Sequence, residues 1–161
     1  VPTFAAVFAP DGKAWRGAEV ELGEVNVIDD VTDLMLDHAA ESGSDLAVLL
    51  LEVDDEWFAI VRTDDGGEPR VFLSDARVVE DHHLAEVLSE AGVAGAPPAE
   101  GAGSRPDPSP DGDAGLLTDL GVTADELRSL SHDSSGVLPS DVLAAVAERA
   151  GFGDLLDSMR L

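Results

Sequence analysis

The residues that could do chemistry fall in a few short strings. Asp29-Asp30-Val31-Thr32-Asp33 has the DDxxD spacing with which some helical enzymes hold magnesium and a diphosphate on hard carboxylate oxygens. Such a site needs further carboxylates across a large helical cavity. This string stands where a helix begins, and there acids cap free N–H groups and favour the positive end of the dipole. It reads as a helix start. His82-His83 with Glu80 and Glu86 resembles half of a metal site, because His83 and Glu86 are three apart and can share a helix face. Adjacent helical residues point about 100° apart, so the two histidines do not easily chelate one ion. His38 is expected on a helix face beside Met35 and Ala39.

Ser131-His132-Asp133 holds the three residue types of a nucleophilic relay, but in immediate succession, where the side chains diverge. A turn or a helix exit is the expectation. Gly101-Ala102-Gly103-Ser104 lacks the third glycine of a dinucleotide fingerprint and follows no strand, and no GxxxxGK[ST] string occurs. Asp54-Asp55 and Asp64-Asp65 fall at strand turns, where acids are usually solvated. The sequence thus calls for no cofactor and no metal. One enzymatic alternative stays open: a small metal-dependent hydrolase built on Asp54, Asp55, Asp64 or Asp65 with His38 or His83.

Composition narrows the function classes. The 161 residues carry 34 Asp plus Glu against 9 Lys plus Arg, a net charge of −25. Nucleic-acid binders draw much of their affinity from cations on phosphates, so direct RNA or DNA binding is not expected, and neither is docking on an anionic membrane. The absence of cysteine excludes disulfides, thiol nucleophiles and Cys-ligated metals, and leaves a cytoplasmic protein as the expectation. The longest apolar run, Leu46 to Leu51, is too short to cross a bilayer.

Hydropathy patterning gives an α+β fold with an antiparallel sheet of about five strands, in the order ββαβββα. Phe4–Ala9 and Trp15–Leu22 read as a hairpin about the Pro10–Lys13 turn. Val31, Leu34, Met35 and His38 form one face of a helix that ends near Ser42-Gly43. Leu46–Val53, Glu56–Thr63 and Arg70–Ser74 read as three further strands, and Asp75–Ala91 as a second helix. Residues 92–114, with 10 Gly or Pro in 23 positions, read as a flexible linker without helix or sheet. Residues 115–161 then form a small helical module. Thr123-Ala124-Asp125-Glu126 is a capping box leading into Leu127 and Leu130, and Ser140 or Asp141 caps a helix faced by Val142, Leu143, Val146 and Ala150 and closed by Gly151. The expected domains are therefore 1–91, the linker 92–114 and the module 115–161. Ala5–Phe8, Ala47–Leu51 and Phe58–Val61 are apolar on successive residues, as in strands covered on both faces. Two helices cover one face, leaving the other for a second copy in a homodimer, for the C-terminal helices or for another protein.

Asp54-Asp55-Glu56-Trp57-Phe58-Ala59-Ile60-Val61-Arg62 and Pro69-Arg70-Val71-Phe72-Leu73-Ser74-Asp75-Ala76, with Phe4-Ala5-Ala6-Val7 and Trp15-Arg16, resemble the tRNA adenosine deaminase-associated protein family of high-GC Gram-positive bacteria. Leu116-Leu117-Thr118-Asp119-Leu120-Gly121-Val122 and Ala147-Glu148-Arg149-Ala150-Gly151-Phe152 resemble its C-terminal half. The resemblance implies a link to the enzyme that makes wobble inosine, but not the activity: a zinc deaminase needs H-x-E and P-C-x-x-C motifs, and neither is present. The expected function is that of a non-enzymatic accessory protein contacting a protein partner, with the tRNA adenosine deaminase as the partner implied. The candidate anchors are Trp15, Trp57, Arg62 and Arg70, because Trp and Arg most often dominate interfaces. The bland reading of the two tryptophans is core, since both sit in strands. A self-associating scaffold is the remaining alternative.

Overall fold

Strands that are apolar at every position can be stable only if both of their faces are covered. The computed structural model describes residues 3–12, 14–20, 26–41, 43–44, 46–53, 57–64, 69–73, 86–88, 111–112, 115–132 and 139–159. Its strands are β1 (Thr3–Asp11), β2 (Ala14–Glu19), β3 (Leu46–Val53), β4 (Trp57–Asp64) and β5 (Arg70–Leu73), with helix α1 (Ile28–Glu41) between β2 and β3. All pairings are antiparallel, and the order across the sheet is β2-β1-β3-β4-β5, so the α+β fold and its five expected strands are present. A two-residue strand, β6 (Asp111–Gly112), extends the sheet beyond β5.

β6 corrects one expectation. The Gly/Pro-rich run 92–114 reads as unable to join a sheet, yet Asp111 pairs with Leu73 and Gly112 with Phe72. Neither residue is a proline, and both can take part in an edge ladder. The rest of that run lies outside the described residues. Of the expected helix 75–91, residues 86–88 are described and helical, and Val87 and Leu88 are buried.

α1 begins at Ile28, one to two residues before the acids expected to cap it. Asp30 is the third helical residue, and its carboxylate accepts the N–H groups of Asn26 (2.9 Å) and Val27 (3.3 Å), the reach-back half of a capping box. Val31 and Met35 are buried, and Gly43 follows the helix with φ +70°, the left-handed conformation that suits a helix stop. After β6 come the 3₁₀ turn η1 (Thr118–Leu120) and helices α2 (Ala124–His132), α3 (Pro139–Ala150) and α4 (Gly153–Met159). Thr123 caps α2 as expected: its hydroxyl accepts the Glu126 N–H at 3.1 Å. Ser140 and Asp141 lie inside the first turn of α3, because Pro139, with no N–H to leave unsatisfied, takes the opening position.

The core lies on both sides of the sheet. On one side, Val7, Leu49, Leu51, Trp57 and Val61 pack with Val31, Met35, Val87 and Leu88. On the other, Phe8, Leu50, Phe58, Ile60 and Phe72 pack with Leu116, Leu117, Val122, Leu127, Leu143, Val146, Phe152 and Leu156. Of the three covers open to the second face, the chain supplies its own C-terminal helices. The homodimer expected through this face is not shown: among the described residues, the face is covered by the chain's own helices. Phe8 stacks on Phe152 (4.3 Å between centroids), and Trp15 tilts against Phe152 at 4.8 Å.

Two glycines permit the close approach of the helical layer. Gly121 (φ +107°) has Arg149 O 2.9 Å from where a Cβ would stand, and Gly151 (φ +105°) has Trp15 Nε1 at 3.2 Å. Gly121→Ala is therefore expected to lower stability by more than about 1 kcal/mol, and Phe152→Ala by about 3–5 kcal/mol. Urea unfolding of the full chain checks both, and a wild-type midpoint for Phe152→Ala would refute the stack as a structural element.

Candidate functional site

Four residues stood out in the sequence as interface anchors, and the fold places them unequally. Trp57, at the first position of β4, is 1% exposed in the core beneath α1. Arg62, also on β4, is 7% exposed. Trp15 is half-buried against Phe152, and Arg70 is half-buried on β5, directly opposite Arg62. Trp57 and Arg62 thus present almost no surface to a partner.

Arg62 instead ties the helical layer to the sheet. Its guanidinium donates to Leu116 O at 2.7 Å and to both carboxylate oxygens of Asp119, including Nη2 to Oδ2 at 2.8 Å. A planar fork against a carboxylate is the strong form of such a pair, and a buried guanidinium needs it. The Arg62 hydrogen bonds, with lesser attraction from Arg62 and Arg70, hold the Asp119 carboxyl below its usual value against some desolvation. Arg149 makes a second tie within the helical layer, to Glu126.

The candidate catalytic strings do not assemble a reaction centre among the described residues. Asp29, Asp30 and Asp33 are exposed in the first turns of α1, with Asp30 engaged by the backbone. Ser131 and His132 end α2, and Asp133 lies outside the described residues. Asp64 closes β4, whereas Asp54, Asp55, Asp65, Glu80, His82, His83 and Gly101–Ser104 lie outside the described residues. Among the described residues, no group of three His, Asp or Glu is placed to hold a metal ion.

What the fold does assemble is an acidic face. Asp29, Asp33, Asp37 and Glu41 recur every fourth residue of α1, and all are exposed. At 1.5 Å rise per residue they make a stripe of roughly 18 Å. Like charges four apart each cost a helix about 0.2–0.5 kcal/mol, and Glu41 also opposes the negative dipole end. Near that end, Val20, Leu34, Asp37, His38 and Glu41 line an open depression of about 380 Å³. His38 Nδ1 stands 3.9 Å from Glu41 Oε2, and Arg16 donates to Glu41 O at 3.3 Å. Sequence reading missed this stripe because it followed the apolar face of α1. The signal that could have found it was the i, i+4 recurrence of acids. The described surface exposes Val27 as its large hydrophobic residue.

Fold and surface together define an acidic α+β protein, sheet covered on both faces, with a charged helix turned to solvent. The chain belongs to the Rv3753c-like tRNA adenosine deaminase-associated protein family, whose model matches residues 3–153. It is similar to Protein Rv3753c of Mycobacterium tuberculosis, 33% identical over 110 residues that cover 68% of this chain and 61% of the relative. The chain thus spans about three-fifths of that relative's length. No solved structure matches. Among the described residues, no helix is long and apolar enough to cross a membrane.

The Arg62 tie has a pH signature. Asp119 has a depressed pKa when folded, so its contribution is present above the unfolded value near 3.8 and is lost as pH falls through the folded one. Asp119→Asn is expected to be less stable than wild type at pH 7, with the difference shrinking as pH falls below 4. Urea midpoints measured from pH 7 to pH 3 check this, and a constant difference would refute it.

Proposed function

We propose that the chain is a non-enzymatic accessory protein that meets a protein partner through the acidic face of α1, and that this partner is the tRNA adenosine deaminase. The observation that carries the docking mode is the stripe Asp29, Asp33, Asp37 and Glu41, since four exposed carboxylates at a helical period repel one another along one face, with the His38 imidazole 3.9 Å from Glu41 at its end. The partner's identity is supported by membership of a family described as deaminase-associated.

A protein that acts on tRNA must present cations to phosphate, and complementary potentials steer an acidic protein onto such a surface. A net charge of −25 extends that attraction beyond the stripe. Contact of this kind masks or competes for the RNA-binding face of the partner without chemistry by the acidic protein itself. Work on tRNA places the encounter in the cytoplasm.

Affinity capture of the tagged native protein from its own cells, at low and high salt, tests this reading. The deaminase is expected to co-purify at low salt and to fall away as salt rises. Asp33→Lys combined with Asp37→Lys is expected to abolish capture with the circular dichroism spectrum unchanged. Absence of the deaminase at both salts, with the bait folded and abundant, would overturn it.

A further inference from the structure

β2 is an outer strand of the sheet, and its pairing with β1 settles which of its backbone groups face outward. Val20 donates its N–H to Ala5 O at 2.9 Å, so these two residues are a hydrogen-bonded pair. Such pairs alternate with non-hydrogen-bonded ones along an antiparallel ladder. In the observed register, Ala18 with Val7 and Arg16 with Ala9 are therefore bonded, whereas Glu19 with Ala6, Gly17 with Phe8 and Trp15 with Pro10 are not. Pro10, which has no N–H to give, falls in the non-bonded class. The N–H and C=O groups of Trp15, Gly17 and Glu19 thus point away from β1. Among the described residues, no strand pairs with them.

An edge with outward donors and acceptors is a template for an added strand. Here Gly17, at its middle, has no side chain to obstruct one. The side chains of Arg16, Ala18 and Val20 lie on the α1 side of the sheet, the side of the depression between Val20 and the end of α1. Val20 and Leu34 give that depression apolar wall, and Asp37 and Glu41 give it carboxylates. That combination suits a lysine or arginine, whose alkyl stem packs on apolar surface while its head finds the acids. Glu19 is exposed on the same edge, and Arg16 is turned to the carbonyl of Glu41.

We propose that the outer edge of β2 and the adjoining depression form a docking site for an extended basic segment of a protein partner, which adds as a further strand and places alternate Lys or Arg side chains against Asp37 and Glu41. Charge selects this occupant over a second copy, because self-pairing would bring together two chains of −25 each. The proposal deepens the acidic docking mode above and rests on it for the partner's charge.

The probe is a blocked synthetic peptide alternating lysine and valine, with a glutamate–valine peptide as control, read by residue-resolved amide exchange on the full chain. In the free protein the amides of Trp15, Gly17 and Glu19 are expected to exchange fast. Saturation with the lysine peptide slows them by roughly tenfold or more and leaves Arg16 and Ala18 unchanged. Gly17→Pro removes an N–H that points outward, so it keeps the fold and weakens binding about tenfold. Asp37→Asn with Glu41→Gln weakens binding and flattens its salt dependence.

Binding without protection of the alternate amides would overturn the proposal as attraction by charge alone. So would wild-type affinity in folded Gly17→Pro. Protection already present in the free chain would also overturn it, assigning the edge to a second copy if it depends on concentration and to the chain itself if not. If the peptide protects the alternate amides while the deaminase fails to co-purify, the site stands and the named partner falls. Co-purification without edge protection removes this site and keeps the partner.

Discussion

A sheet whose central strands are apolar on both faces has to be roofed twice, and the rest of the structure follows from that requirement. α1 supplies one roof with Val31 and Met35, and the helices after residue 115 supply the other with Leu116, Leu143, Val146 and Phe152. Each large apolar side chain taken from water contributes about 1.5–3 kcal/mol. The second roof is thereby part of the fold's stability and not an appendage resting on it. Its position is fixed at both ends by specific contacts: Arg62 on Leu116 and Asp119 at the entry, Trp15 and Phe8 on Phe152 at the exit.

This gives the family resemblance a physical meaning. The strings that carry it at Trp15-Arg16, at the end of β4, at Leu116 to Val122 and at Ala147 to Phe152 are distant in sequence, yet they touch one another at those fixing points. Arg62 meets the 116–122 string, Gly121 meets Arg149, and Phe152 meets Trp15. Arg62 and Trp15 in these strings join the helical layer to the sheet, and Gly121 with Arg149 joins two parts of that layer. A tryptophan and an arginine that look like interface anchors when read singly are spent inside the molecule.

Local pattern made much of the fold legible. Successive apolar residues marked β3 and β4, Thr123 to Glu126 marked the start of α2, and Gly151 marked the end of α3. These features depend on neighbours within one turn or one strand. The bidentate pair of Arg62 with Asp119 spans 57 residues, and no local rule announces it. The joining of Asp111–Gly112 to β5 was hidden for a different reason: composition describes a whole run, whereas a ladder needs two residues of it. The acidic stripe was legible in principle, as carboxylates at a helical period, but apolar periodicity drew the reading to the opposite face of the same helix.

The two tryptophans stand on opposite faces of the sheet, Trp57 among the residues under α1 and Trp15 among those under the C-terminal helices. With no tyrosine in the chain, indole is its dominant near-ultraviolet chromophore. Nature has left one optical reporter in each layer. Replacing either by phenylalanine would make the remaining emission a local gauge, so that loosening of one roof could be told from loosening of the other in an otherwise unlabelled protein.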